Sequence, residues 1–280
     1  MKLWLIERHT DNLSLNVKVE KTVYREKTRY QDLAIVDTCE FGRALILDGV
    51  IQTTERDEFI YHEMLAHVPL HVHRKPERVL VIGGGDGGTI REVLKHPTVK
   101  EAHLVEIDEA VVRACTTYMP SISCALSDPR VRVIIEDGIE FVKDKEGEYD
   151  AVLVDSTDPS GPSLGLFNVE FYSNVARVLR DGGVFAAQTE QPFFQPELVR
   201  RIFHMISQAF PVTRPYLATI PTYSSWSWCF TFASKGEHPE NVLPTRCSGL
   251  RYYSREVHLA SFALPPFIDR LFEKDAACSL

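Results

Sequence analysis

The residues best placed to do chemistry in this chain are acids, and each follows a short apolar run. Val79-Leu80-Val81-Ile82 leads into Gly83-Gly84-Gly85-Asp86-Gly87-Gly88, and Leu104-Val105 leads into Glu106-Ile107-Asp108. Val133-Ile134-Ile135 leads into Glu136-Asp137-Gly138, and Val152-Leu153-Val154 into Asp155-Ser156-Thr157-Asp158. Apolar runs of this length read as buried strands, so the acids gather at strand ends. Gly83, Gly85 and Gly88 satisfy G-x-G-x-x-G, and Glu106 stands eighteen positions past the last glycine, where an acid accepts hydrogen bonds from ribose hydroxyls. The turn therefore suits a nucleoside. Asp86 narrows the choice: a pyrophosphate on the amides that open the next helix would meet its carboxylate, and like charges about 4 Å apart repel by about 4 kcal/mol at an effective dielectric of about 20. A nucleoside carrying positive charge fits the turn, with an Asp that only caps the following helix as the plain alternative. Taken singly, each acid after a strand is an ordinary helix cap. Four at one rim with no nearby Lys or Arg make a crevice that receives cations or raises its own pKa values.

The elements that must position these acids alternate. Strands are expected at 78–83, 102–107, 130–136, 149–155 and 183–189, with helices over 88–96, 109–118, 138–144 and 169–180. This order makes an α/β fold with a doubly wound, mostly parallel sheet, whose ligands bind outside the carboxyl ends of the strands. Residues 1–56 alternate apolar and polar, with Leu15, Val17 and Val19, then Leu33 and Ile35, then Leu45 and Leu47 before an Asp48-Gly49 turn. They read as a small antiparallel β domain that lids a site or joins subunits, leaving 57–280 as the main domain. From Asp57 to His73 the spacing turns helical, and His62, His67, His71 and His73 crowd there. No metal is expected from His62-Glu63 and His67, because five helical positions turn the second imidazole about 140° from the first. Thr157 to Asn168 is a Pro/Gly loop placed to close over a substrate. Beyond it a helix is expected over 196–210, strands over 212–219 and 226–234, and short helices in the tail.

The totals exclude several classes. The chain has 280 residues, 44% of them apolar, and a formal net charge of −8. Without a dense Lys/Arg run this balance disfavours nucleic acid and anionic membrane as partners and favours cations. The apolar stretch in Met1–Arg8 is too short for a signal peptide to be expected, and nowhere do eighteen apolar residues run together, so a cytoplasmic setting is expected. The cysteines, 6 in number, have no C-x-x-C spacing and read as free thiols.

With these residues laid out, the chain resembles the polyamine aminopropyltransferases, and among them the spermidine synthases, nearly end to end. The resemblance is carried by Tyr30-Gln31-Asp32, by Leu47-Asp48-Gly49-Val50-Ile51-Gln52, by Asp57-Glu58-Phe59-Ile60-Tyr61-His62-Glu63-Met64, by the glycine turn with Asp86, and by Asp155-Ser156-Thr157-Asp158-Pro159. It implies transfer of a propylamine group from decarboxylated S-adenosylmethionine to a diamine, leaving methylthioadenosine. It also implies a Rossmann-like, methyltransferase-like sheet with an N-terminal β domain, in homodimers or homotetramers. By matching motifs, Gln31, Gly83, Gly85, Glu106, Asp137, Gly138 and Pro162 would hold the adenosine half, with Glu106 at the ribose and Asp137 at the adenine amino group. Asp86 would take the donor's ammonium and Asp155 would accept the proton. Tyr61, His62, Ser156, Thr157, Asp158 and Tyr223 would line the acceptor channel. One stretch departs from the pattern: Pro221-Thr222-Tyr223-Ser224-Ser225-Trp226 stands where the family usually reads Pro-Thr-Tyr-Pro-Ser-Gly, and Trp226 is expected to narrow the acceptor end or to pack on a surface.

The acids support these roles on their own terms. Decarboxylation leaves a donor with a sulfonium and an ammonium and no carboxylate, and a diamine adds two more cations. An Asp near its usual pKa of about 3.9 is a poor base for an amine, and crowding of Asp155 by Asp158 is expected to raise it. No cofactor is expected beyond the co-substrate. Putrescine is the first choice of acceptor, with cadaverine, agmatine or a longer polyamine as alternatives. Rival readings are an S-adenosylmethionine methyltransferase, which Asp86 opposes, an NAD-dependent dehydrogenase, and a polyamine-binding protein without catalysis.

Overall fold

A computed structural model describes residues 3–158, 161–223, 227–244 and 247–273. Its first part is a meander of β1 (Leu3–Thr10), β2 (Leu13–Lys27), β3 (Asp32–Thr38), β4 (Gly42–Leu47) and β5 (Val50–Thr54), each strand antiparallel to the next. The last hairpin turns at Asp48 and Gly49, with φ of 50° and 85°. Both residues are left-handed, the geometry that matches a two-residue turn to the twist of its strands. Alternation then sorts the faces. Val36, Ala44, Ile46 and Ile51 pack within the sheet's own core. Leu33, Ile35, Leu45 and Leu47 pack outward against Ala110, Val111, Ala114 and Cys115 of the helix α3 described below.

The second sheet comprises β6 (Arg78–Gly83), β7 (Glu101–Glu106), β8 (Val131–Ile135), β9 (Tyr149–Asp155), β10 (Leu179–Gln188), β11 (Val212–Thr219) and β12 (Ser227–Ser234), in the order β11-β12-β10-β9-β6-β7-β8. Strands β6 to β10 run parallel, while β12 lies antiparallel to β10 and to β11. The central strands carry the apolar runs Val79–Ile82 and Ala151–Val154 because helices cover both faces. Those helices are α1 (Glu58–Leu70), α2 (Gly88–Val93), α3 (Glu109–Tyr118), α4 (Pro120–Ser123), α5 (Gly138–Lys143), α6 (Val169–Val178), α7 (Pro196–Ala209), α8 (Arg255–Ser261) and α9 (Pro266–Asp269). The chain leaves β6 toward β7 and β8, then returns to β9 on the other side of β6, so the switch point lies between the ends of β6 and β9. A crevice opens outside such a point.

Three boundaries differ from the sequence reading. The helix after the glycine turn ends at Val93 instead of His96, since the backbone tightens there into bonds from His96 to Val93 and from Lys95 to Glu92. Strand β10 begins at Leu179, with a register shift between Leu179 and Val184. Asp181-Gly182-Gly183 looks like a turn in sequence and is an irregularity within the strand. The expected closing loop is in part a 3-10 helix over Gly161–Leu166. Pro159 and Ser160 lie outside the described residues, as do Ser224, Ser225 and Trp226, so the expectation for Trp226 falls there too.

Candidate active site

Gly83 pairs with Asp155 across β6 and β9, which puts the glycine turn against the last acid of the neighbouring strand. Space is the reason for the glycines. A Cβ on Gly83 would stand 2.3 Å from the Asp155 carbonyl oxygen, one on Gly84 2.5 Å from Asp155 Oδ2, and one on Gly85 2.9 Å from Glu106 Oε2. On Gly88 it would meet the His62 ring at 2.2 Å. Any side chain in the turn would push these groups away, so the turn's emptiness serves the acids beside it.

Asp155 is the most constrained of them. The Tyr61 hydroxyl donates to its Oδ1 at 2.7 Å and the Thr89 hydroxyl to its Oδ2 at 2.6 Å. Burial raises its pKa; nearby His62 lowers it and Asp86 raises it further. The crowding neighbour is Asp86, not Asp158 as the sequence suggested. Asp158, three residues past the strand end, is exposed and faces a different cavity.

Asp86 is buried, and its Oδ1 accepts the Gly88 amide proton at 2.7 Å and lies 3.5 Å from His62 Nε2. It therefore shapes the turn as well as charging it. His62 Nδ1 meets Glu58 Oε2 at 2.5 Å, and Glu58 in turn accepts from Arg91 at 2.7 Å. Burial opposes charge on the His62 ring, but Asp86 and Glu58 outweigh it and hold the pKa well above the usual imidazole range. The His62 ring thus stands beside the acid rim, and among the described residues no Lys or Arg lines this cavity.

Glu106 accepts from the Asp108 amide at 2.9 Å and the Gly85 amide at 3.2 Å, and burial pushes its pKa to about 7. The Gln31 side chain donates to Asp108 Oδ2 at 2.9 Å, and the Thr28 hydroxyl donates to the same oxygen at 2.8 Å. These two bonds, with the apolar packing of β3 and β4 on α3, tie the N-terminal sheet to the rim. Asp137 caps α5 by accepting from the Ile139 amide at 2.8 Å. A Cβ on Gly138 would strike Ile82 Cγ2 at 2.4 Å, so this glycine lets α5 start close to β6.

One cavity collects most of the expected residues. Gln31, Gly83, Gly85, Asp86, Glu106, Asp137 and Gly138 line it with Tyr61, His62, Asp155, Ser156, Thr157 and Tyr223. Pro162 belongs to the 3-10 helix over 161–166, and its side chain lies outside the described residues; Ser163 of that helix lines the cavity. Glu136 is exposed and does not line it.

A second cavity adjoins the first and shares Gln52, Tyr61, Ser156 and Tyr223 with it. Asp158 lines this one, whereas His62 lines only the first. Its other acids, Glu7 and Glu190, escaped the sequence reading. Burial raises Glu7 to about 7, with Asp158 adding to the effect and the Ile51 amide, donating at 2.7 Å, opposing it. Burial raises Glu190 to about 9, and Asp158 again adds to it. Glu190 has a φ of 75°, a left-handed backbone that is strained for a residue with a Cβ. It also follows the fifth parallel strand, so the rule that found the other strand-end acids would have found it. Glu7 sits on β1 in the other sheet, and nothing local in the sequence marks it. Thr89, missed as well, directly follows the last glycine of the turn.

Comparison with known proteins gives a consistent answer. Residues 58–242 match the spermine/spermidine synthase domain, and residues 3–55 match the spermidine synthase tetramerisation domain. The polyamine aminopropyltransferase of Caldicellulosiruptor saccharolyticus is 50% identical over 275 residues, which cover 98% of this chain and 99% of that one. The polyamine aminopropyltransferase of Moorella thermoacetica is 49% identical over 273 residues, covering 97% and 96%. Among solved structures, a spermidine synthase in complex with the transition-state analogue AdoDATO superimposes with a TM-score of 0.95 at 43% identity, covering 96% of this chain and 94% of that one. Spermidine synthase from Thermotoga maritima gives a TM-score of 0.93 at 43% identity with the same coverage. Fold, site and relatives agree, and the chain belongs to the spermine/spermidine synthase family of polyamine aminopropyltransferases.

Proposed function

We propose that the enzyme transfers the propylamine group of decarboxylated S-adenosylmethionine to putrescine, giving spermidine and methylthioadenosine. The observation that carries this reading is the pair of adjoining cavities that share Tyr61, Ser156 and Tyr223 beside Asp155, the first lined by acids and the second by Glu7, Asp158 and Glu190 together with Arg8 and His9. A donor with two positive groups suits the first, and a diamine reaching from Asp155 into the second would place its far ammonium among Glu7, Asp158 and Glu190.

In this reading Glu106 accepts the ribose hydroxyls, Asp137 faces the adenine amino group, and Gln31 and Gly138 close the adenosine half. Gly83 and Gly85 admit the donor to the turn, and Asp86 takes its ammonium. Asp155 receives the near end of the acceptor. An alkylammonium with a pKa of about 10.4 must lose a proton before it can attack, and a carboxylate raised by burial accepts that proton more readily than an ordinary one. The freed nitrogen lone pair forms the new bond to the carbon beside sulfur. The carbon–sulfur bond breaks with its electrons going to sulfur, which leaves as a neutral thioether. Holding nitrogen, carbon and sulfur in line supplies most of the acceleration. Tyr61 and Thr89, each donating to one oxygen of Asp155, aim the carboxylate.

No cofactor enters this chemistry. Assembly into a homotetramer through the N-terminal sheet is supported by the match over residues 3–55 and by exposed Leu3, Trp4 and Ile6 on β1. A cytoplasmic setting is supported by the free thiols of Cys39, Cys115, Cys124, Cys229 and Cys247. Among the described residues no helix is long and apolar enough to cross a membrane.

A panel of acceptors with the decarboxylated donor, followed by methylthioadenosine release, tests the reading. Putrescine should give the highest kcat/KM. A higher value for cadaverine, agmatine or spermidine would reassign the acceptor.

A further inference from the structure

We propose that His67, His71 and His96 form a binding site for one divalent transition-metal ion, zinc by preference, buried behind the active site. One nitrogen from each ring lies within 4.8 Å of the others, and the three residues are 0%, 3% and 5% exposed. His67 and His71 stand four apart on α1 and its C-terminal cap, so both rings leave the helix on one face. His96 comes from the tight turn after α2.

The hydrogen bonds around the cluster leave the right atoms facing inward. His71 donates its Nδ1 proton to the His67 carbonyl at 2.9 Å, and its Nε2, fully buried, has no hydrogen-bond partner among the described residues. His67 directs Nε2 at Glu92 Oε2, 3.0 Å away, which leaves Nδ1 turned toward His96 Nε2 at 2.9 Å. A ligating imidazole typically has its outer nitrogen fixed by a carbonyl or a carboxylate, which sets the tautomer and aims the lone pair. His71 and His67 each have that arrangement. The orphaned Nε2 of His71 is the second observation: a buried polar atom without a partner is costly unless something occupies the space before it. A metal would satisfy it and would replace the proton shared between His67 and His96. Three neutral imidazoles suit zinc and its neighbours in the first transition row better than magnesium or calcium.

None of the three rings lines either cavity. The ion would serve structure, joining α1, which carries Tyr61 and His62, to α2, which carries Gly88 and Thr89. The histidine pair weighed in the sequence, His62 with His67, is not the one that converges.

The full chain, freed of any affinity tag and dialysed against a chelator, is titrated with Co2+ and separately with Zn2+. One equivalent of Co2+ should bind with the intense visible absorption of a four-coordinate site, zinc should displace it, and zinc should raise the Tm. His71→Phe, which keeps a ring against Tyr253, should lose the stoichiometric cobalt band, and His96→Gln should do the same. Zinc-edge X-ray absorption on the wild-type chain should show three imidazoles in the first shell, a readout that stands if a variant fails to fold. No stoichiometric cobalt or zinc uptake by the wild-type chain would overturn the proposal. So would a band unchanged in a folded variant, or a first shell without imidazole.

Discussion

The two adjoining cavities treat their acids differently. In the first, each carboxylate has its own donors: Tyr61 and Thr89 for Asp155, two backbone amides for Glu106, the Gly88 amide for Asp86 and the Ile139 amide for Asp137. In the second, Glu7 accepts from the Ile51 amide and Glu190 from the Gln191 amide, but burial and Asp158 push their pKa values up to about 7 and about 9. The first cavity is a frame that fixes where its carboxylates sit, although burial raises Glu106 to about 7 there just as it raises Glu7. In the second, Glu7 and Glu190 favour a cationic occupant once ionised, although Arg8 and His9 line the same cavity.

That contrast can be broken most forcefully at Asp155. Asp155→Asn should lower kcat by about a hundredfold or more while leaving donor affinity unchanged, since a positioned proton acceptor contributes that much. Stopped-time assays paired with calorimetry separate the two effects. In the second cavity Glu190→Gln should raise the acceptor KM roughly thirtyfold, about 2 kcal/mol, the lower end of what a buried charge partner contributes, with donor affinity again unchanged. Equal loss of both affinities would mean that the two cavities do not act separately.

Smaller effects sharpen the picture. Gly88→Ala should destabilise the fold by about 1–3 kcal/mol in urea, because its Cβ drives into the His62 ring and the helix beneath that ring cannot yield. The pH dependence has a definite sign. Glu7 and Glu106 titrate at about 7 and Glu190 at about 9 in the folded chain, all above the ordinary 4.5. Glu7 and Glu106 therefore bind more protons folded than unfolded from about pH 4.5 to 7, and Glu190 from about 4.5 to 9, so stability falls as pH rises. Across pH 7 to 9 Glu190 alone of the three carries the effect. Below that window, His71 and His258, both lowered to about 4, act in the opposite sense. Chemical denaturation of the ligand-free chain should show a slope of at most about 1.4 kcal/mol per pH unit for each such group, flatter in Glu190→Gln.

Much of the first cavity was legible because its acids share one local signal, an apolar strand ending in a carboxylate. Periodicity located the strands, and the parallel order put their ends on one rim. What escaped depends on distance in the chain. Glu7 reaches the second cavity from an edge strand of the other sheet, and the packing of Leu33, Ile35, Leu45 and Leu47 on α3, with the Thr28 and Gln31 bonds to Asp108, brings that sheet into place. Asp158 was paired with Asp155 by adjacency, but beyond a strand end the chain no longer fixes direction, and the side chain turns to the other cavity. His62 lines the first cavity, but its contact with Asp86 depends on Glu58 and on the bare face of Gly88, a tertiary arrangement invisible in the motif. His67 and His71 carried a four-residue spacing in plain view, yet His96, twenty-five positions beyond His71, gives it meaning.

On the proposed reading, the acidic turn selects its nucleoside by the sign of charge. Calorimetric titration of the same preparation with decarboxylated S-adenosylmethionine and with S-adenosylmethionine tests it most directly. The decarboxylated form should bind at least about tenfold more tightly, roughly 1.4 kcal/mol, with the gap narrowed in Asp86→Asn. Equal or tighter binding of the carboxylate-bearing form by the wild-type chain would contradict it.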